Sequence, residues 1–191
     1  MAEGPIRCPW CLKDPLYVAY HDLEWGVPER DELKVFEHLC LETFQCGLSW
    51  LLVLRRRRHL RAALLGFDPE ALASWGEGEI SAALRAEGMI RCVSKVRGVV
   101  RNARTLLDLW DRGLRLSDLV WSPFGGETRV NRRRLGEALP ASTPESEDLS
   151  RRLRGLGFSF VGPVVCYSLM QALGVVDDHV VECVRHPSRR G

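Results

Sequence analysis

Four residues at the two ends of the chain have the types and the spacing of metal ligands. Cys8 and His21 stand near the start, and His179 and Cys183 near the end, separated by three residues. Residues four apart on a helix share a face about 6 Å apart, so an imidazole and a thiolate so placed reach one ion. Two sulfurs and two nitrogens suit tetrahedral zinc, and four protein ligands close the site, which makes it structural. Such an ion ties the first twenty residues to the final helix and removes much unfolded-chain entropy. Cys11 and His186 are rival ligands; Cys8-x2-Cys11 is half of a common zinc knuckle, so spacing does not choose between Cys8 and Cys11.

A second group is aromatic. Trp10, Tyr17, Tyr20 and Trp25 crowd one short segment, and Trp50 follows in Gly47-Leu48-Ser49-Trp50. Glu42 follows Cys40-Leu41 at the end of an apolar helix pattern, a place for a partly buried carboxylate. Ring faces with one carboxylate suit a flat ring that is cationic or carries N–H groups. Singly, each of these residues is more often core or solvated surface; only the cluster points to a pocket.

The elements that must hold these groups are helical. Leu33, Phe36, Leu39, Cys40 and Phe44 recur at helical spacing, and Val96, Val99, Val100, Ala103, Leu106, Leu107 and Trp110 form a clearer stripe. Asp68-Pro69-Glu70 and Thr143-Pro144-Glu145 each read as an N-cap followed by proline at the first helical position. Gly88, Gly113 and Gly155 are expected C-terminal stops, and 122–130 is the most loop-like stretch. Period-2 alternation is absent, so the fold class is all-α with minor β structure and a single domain over 1–191. Between two expected helices, at about 145–173, Gly157-Phe158-Ser159-Phe160-Val161-Gly162 is similar to a helix–hairpin–helix turn. There the glycines permit a tight backbone, and the next helix offers free N–H groups to phosphate without reading sequence.

Composition bounds the rest. The chain has 191 residues, 46% hydrophobic and 27% charged, and a net charge of +2. That excludes disordered, collagen-like and disulfide-framework chains, and permits a nucleic-acid partner without requiring one. Positive charge is mostly arginine, clustered at 55–58, 132–134 and 151–152, as either solvated helix faces or phosphate contacts. The longest apolar stretch, 161–176, is interrupted by Gly162, Pro163, Ser168 and Gln171, too short and too broken for a membrane span. No leader is visible, so a cytoplasmic, monomeric protein with seven reduced cysteines is expected.

Asp14-Pro15-Leu16-Tyr17-x-x-Tyr20-His21-Asp22-x-Glu24-Trp25-Gly26, Gly47-Leu48-Ser49-Trp50, Gly157-Phe158-x-Phe160-Val161-Gly162 and Asp178-His179, in that order, resemble the 3-methyladenine DNA glycosylase I family of helix–hairpin–helix DNA glycosylases, from Arg7-Cys8 to about Pro187. The resemblance implies an all-α enzyme that removes N3-methyladenine from double-stranded alkylated DNA, releasing free 3-methyladenine. It implies one structural zinc on Cys8, His21, His179 and Cys183. It also implies Glu42 as the group meeting the damaged base, Tyr17 and Tyr20 lining the pocket, Trp50 stacking on the base, and Trp10 and Trp25 completing the wall. Leu48 then fills the gap left in the duplex, with Gln45, Gly47, Gly157, Phe160 and Gly162 expected at the DNA. The hairpin has no lysine, so a monofunctional hydrolase is expected. Three positions depart from the family pattern: Cys46 for alanine, Val164 for threonine and Asp177 for asparagine. A zinc-stabilised damaged-DNA binding module without catalysis is the different-class alternative, and a catalytic zinc hydrolase a second; four protein ligands argue against the latter.

Overall fold

The computed structural model describes residues 4–189. A short 3-10 turn at Pro9–Lys13 leads into α1 (Pro15–Leu23), α2 (Glu32–Gln45), α3 (Trp50–Ala63), α4 (Pro69–Ala73), α5 (Glu77–Arg85), α6 (Val93–Asp111) and α7 (Leu116–Trp121). After β1 (Arg129–Val130) come α8 (Pro144–Leu156), α9 (Pro163–Ala172) and β2 (Val176–Asp177). The two short strands pair in parallel, Arg129 with Val176 and Val130 with Asp177. Helices therefore dominate, as the periodicity requires. No helix of the described residues is long and apolar enough to cross a membrane.

Local chemistry starts most of these helices. Side chains of Asp14, Asp31, Ser49, Asp68 and Thr143 each accept a backbone N–H of the first turn of the helix they precede. Proline at the first turn adds to this in α1, α4, α8 and α9. The 93–111 stripe is the inner face of α6, whose Val96, Val99, Val100, Ala103, Leu106 and Leu109 are buried. In α2 the expected stripe holds except for Leu33, which is exposed, while Val35 and Leu41 join the core. Gly113 ends α6 with φ +70°. Gly155 is not a stop: α8 runs through it to Leu156, and Gly157 takes the left-handed conformation instead, at φ 105°. An i,i+4 helix carrying His179 and Cys183 is also absent, because the chain after β2 proceeds in turns.

Candidate active site and metal cluster

The base-sized cavity is built by α1, α2, the start of α3 and α9. It encloses about 160 Å³ and is lined by Trp10, Tyr17, Tyr20, Trp25, Glu42, Gln45, Trp50, Leu139, Ser168 and Gln171. All six residues expected at a ring pocket thus meet around one space. Trp10 stands edge-on to Trp25 and Tyr17, with ring centroids 5.0 and 5.5 Å away, and Tyr20 lies 5.4 Å from Trp50. The Tyr17 hydroxyl accepts the Leu51 N–H at 2.9 Å, so a pocket residue also serves the first turn of α3.

Glu42 is more deeply held than its place near a helix end suggests. It is 3% exposed, and its Oε2 has no hydrogen-bond partner. Burial pushes its carboxyl up to about 8, since no neighbouring cation offsets the lost hydration. Burial thus favours the protonated form of Glu42.

A second cavity of about 200 Å³ opens beside the first. Glu42, Gln45, Cys46, Gly47, Leu48, Val164, Val165 and Ser168 line it. The loop after α2 and the start of α9 therefore face each other at the pocket's flank. Gly47 takes φ +73°, and Leu48 is exposed. Buried Lys95 of α6 donates to the carbonyls of Phe44 and Cys46 at 2.7 and 2.5 Å, closing the end of α2 where the loop begins. Val164 is exposed at the first turn of α9 and Cys46 is half-buried.

The 157–162 turn is pinned from α6. Asn102 Oδ1 accepts the Ser159 N–H at 2.7 Å, and its Nδ2 donates to the Ser159 carbonyl at 3.1 Å. Ser150 donates to the Val161 carbonyl at 2.6 Å. Phe160 has φ 57° and lays its ring over Gly98, where a Cβ would stand 2.6 Å from a ring carbon. Gly162 precedes Pro163 as the N-cap of α9.

At the chain ends, the ligand atoms of Cys8, His21 and Cys183 lie within 4.8 Å of one another, all buried. Cys183 Sγ sits 3.5 Å from His21 Nε2 and accepts the Arg185 N–H. Hydrogen bonding from Cys8 and His21 pulls the Cys183 thiol well below its ordinary range, giving it thiolate character. His179 falls outside that tight group, but its ring centroid is 4.7 Å from that of His21 and its Nε2 is buried without a partner. Each imidazole has its Nδ1 on a carboxylate, His21 on Asp22 at 2.7 Å and His179 on Asp177 at 2.8 Å. Gly26 makes room for this, because a Cβ there would stand 2.9 Å from the His179 ring. The rivals are engaged elsewhere. Cys11 donates to the Cys8 carbonyl, and His186 meets Ser188 and Asn131.

The arginine clusters divide. Arg55 pairs with Asp14, Arg57 with Glu24 and Glu37, Arg133 with Asp178, and Arg151 with Asp148. These members of the runs are occupied within the fold. Sequence reasoning missed Ser168, Gln171 and Leu139 as lining residues. The first two did leave a signal, as polar interruptions three apart in an apolar stretch; Leu139 left none.

A family model described as methyladenine glycosylase matches residues 10–186. The chain is 43% identical over 184 residues to DNA-3-methyladenine glycosylase 1 of Escherichia coli (strain K12), covering 96% of this chain and 98% of that one. A crystal structure of a 3-methyladenine DNA glycosylase I superposes with a TM-score of 0.92 at 43% identity, over 95% of this chain and 100% of that chain. A structure of 3-methyladenine DNA glycosylase I from Staphylococcus aureus, which addresses 3-methyladenine recognition, gives a TM-score of 0.90 at 29% identity over 94% and 96%.

Proposed function

This chain belongs to the methyladenine glycosylase family, and from that premise we propose that it hydrolyses the N-glycosidic bond of N3-methyladenine in alkylated DNA, leaving the free base and an abasic site. The single observation that carries the reading is Glu42, a buried carboxyl with an unpartnered oxygen at the wall of an aromatic cavity.

A base inside a duplex is out of reach, so the nucleotide is extruded at a cost of a few kcal/mol. Leu48, exposed on the Gly47 turn beside the cavity, fills the vacated space in the stack. The α8–turn–α9 unit is read as a helix–hairpin–helix. Its Gly157, Phe160 and Gly162 shape a backbone that meets phosphate through the N–H groups at the start of α9. Gln45 lines both cavities and sits where the extruded nucleotide passes.

Methylation at N3 gives the base a positive charge and makes it a good leaving group. In the pocket Tyr17, Tyr20, Trp10, Trp25 and Trp50 offer ring faces to that cation, and its arrival favours the ionised form of Glu42. The Glu42 carboxylate accepts the exocyclic N–H. Attraction to the ground-state cation alone does not speed bond breaking, because the base loses its charge as it departs. Catalysis therefore comes from orientation, with Glu42 and the rings holding the base in a product-like geometry while water attacks the sugar. No lysine lines the cavity, which supports a hydrolase without a Schiff-base step.

The ends of the chain fit one structural zinc. Two thiols and two imidazoles are the right donor set. The orphaned Nε2 of His179, the thiolate character of Cys183 and the carboxylate on each Nδ1 support Cys8, His21, His179 and Cys183 as ligands. Held by those four residues, a zinc ion would cross-link the two segments under the Trp10–Trp25 wall, apart from the chemistry at Glu42.

Chromatography of bases released from methylated duplex DNA tests the reading. Release of 3-methyladenine with 7-methylguanine left in place is expected. Absence of any released base with folded protein overturns it in favour of a damaged-DNA binding module.

A further inference from the structure

Gln171 lies on α9, is 8% exposed, and lines the cavity that Glu42 also lines. Among the described residues its side chain makes one hydrogen bond, from Nε2 to Asp178 Oδ2 at 2.8 Å. The direction of that amide is dictated by what surrounds Asp178. This carboxylate also receives the Asn131 amide at 2.7 Å, the Arg133 Nε at 3.1 Å and the Tyr167 hydroxyl at 2.5 Å. Asp178 accepts from Gln171 as well as from those three other donors, so the Gln171 amide gives it the NH2 end and turns its carbonyl oxygen away. The Oε1 so released accepts no hydrogen bond from the described residues, yet it is not sealed from solvent. A backbone contact holds the residue in place, since the Gly26 N–H donates to the Gln171 carbonyl at 3.0 Å.

We propose that Gln171 Oε1 is the fixed acceptor that recognises the exocyclic 6-amino group of the flipped base and rejects 6-oxo purines, with Asp178 as its positioning residue. The proposal deepens the glycosylase reading and rests on it. An exocyclic amine carries two N–H groups, and Glu42 accepts one. Gln171 Oε1 is a fixed acceptor for the other, because rotating the amide would face its oxygen toward Asp178. A 6-oxo group would then meet a lone pair instead of a donor, and a site built to pair with N–H discriminates strongly against an analogue lacking it.

The test compares single-turnover release of 3-methyladenine and 3-methylguanine from methylated duplex DNA by wild type and Gln171→Met, which keeps length and removes both polar atoms. The ratio of the two rates is expected to fall by about tenfold, mostly through slower 3-methyladenine release. A ratio within about twofold of wild type, with 3-methyladenine still released, overturns the proposal. Should Gln171→Met fail to fold, tryptophan fluorescence of the wild type with free 3-methyladenine and free 3-methylhypoxanthine decides. About tenfold weaker binding of the 6-oxo base is expected, and equal affinity overturns the proposal. If the wild type binds the amino base selectively but releases no base from DNA, the hydrolase reading fails and the recognition proposal stands.

Discussion

Glu42 carries two opposing consequences of one environment. Its carboxyl titrates near 8 in the fold and near 4.5 in the unfolded chain, so the folded state holds an extra proton between those values. The Glu42 contribution to stability therefore falls as pH rises from about 4.5 to about 8 and levels off above. Glu42→Gln removes that loss. The variant is expected to be more stable than wild type by on the order of 2–4 kcal/mol at pH 9 and indistinguishable at pH 4, read by thermal unfolding across pH. The same substitution is expected to slow base release, a trade of activity for stability at one residue. Equal stability at pH 4 and at pH 9 would mean that the carboxyl is not desolvated. The carboxyl was legible as a candidate from its place after Cys40-Leu41. The depth of its burial was not, because it depends on α1, α3 and α9 packing around α2.

The elements around the pocket work by pinning backbone. Asn102 acts as a surrogate strand edge for Ser159, and Gly98 admits the Phe160 ring. Gly98→Ala would drive a Cβ into that ring and is expected to cost about 1–3 kcal/mol in urea unfolding, with weaker binding to duplex DNA. Unchanged DNA affinity in that variant would separate the turn from the DNA surface. Lys95→Met removes the cation that closes the end of α2, and is expected to cost about 1–3 kcal/mol by leaving two carbonyls unsatisfied, again read in urea. The turn itself was legible, since glycine, proline and apolar residues alternate there. Its partners Asn102 and Gly98 lie some sixty residues upstream, inside a stripe whose periodicity marked only the apolar face. The Gly155 stop misread a helix that ends one residue later at Leu156, where the left-handed turn at Gly157 needs a glycine.

At the scale of the whole molecule, the segments that carry Cys8 and His21 meet those that carry His179 and Cys183 beneath the aromatic wall. The donor types were legible in sequence, but the helix expected to align His179 and Cys183 is replaced by turns after β2. Asp177 orients the His179 ring there, which turns a departure from the family pattern into a built contact. One zinc per chain is expected by elemental analysis. Cys183→Ser is expected to lose it and about 4 kcal/mol or more of stability. Metal-free wild type as stable as the loaded protein would contradict the tie.

The central claim is that Glu42, inside its ring of aromatic side chains, governs departure of the damaged base. Single-turnover release of 3-methyladenine from methylated duplex DNA by Glu42→Gln, matched against wild type at saturating enzyme, tests it most directly. A fall of about tenfold to a hundredfold with DNA affinity retained is expected. Release at the wild-type rate by the folded variant would contradict the account.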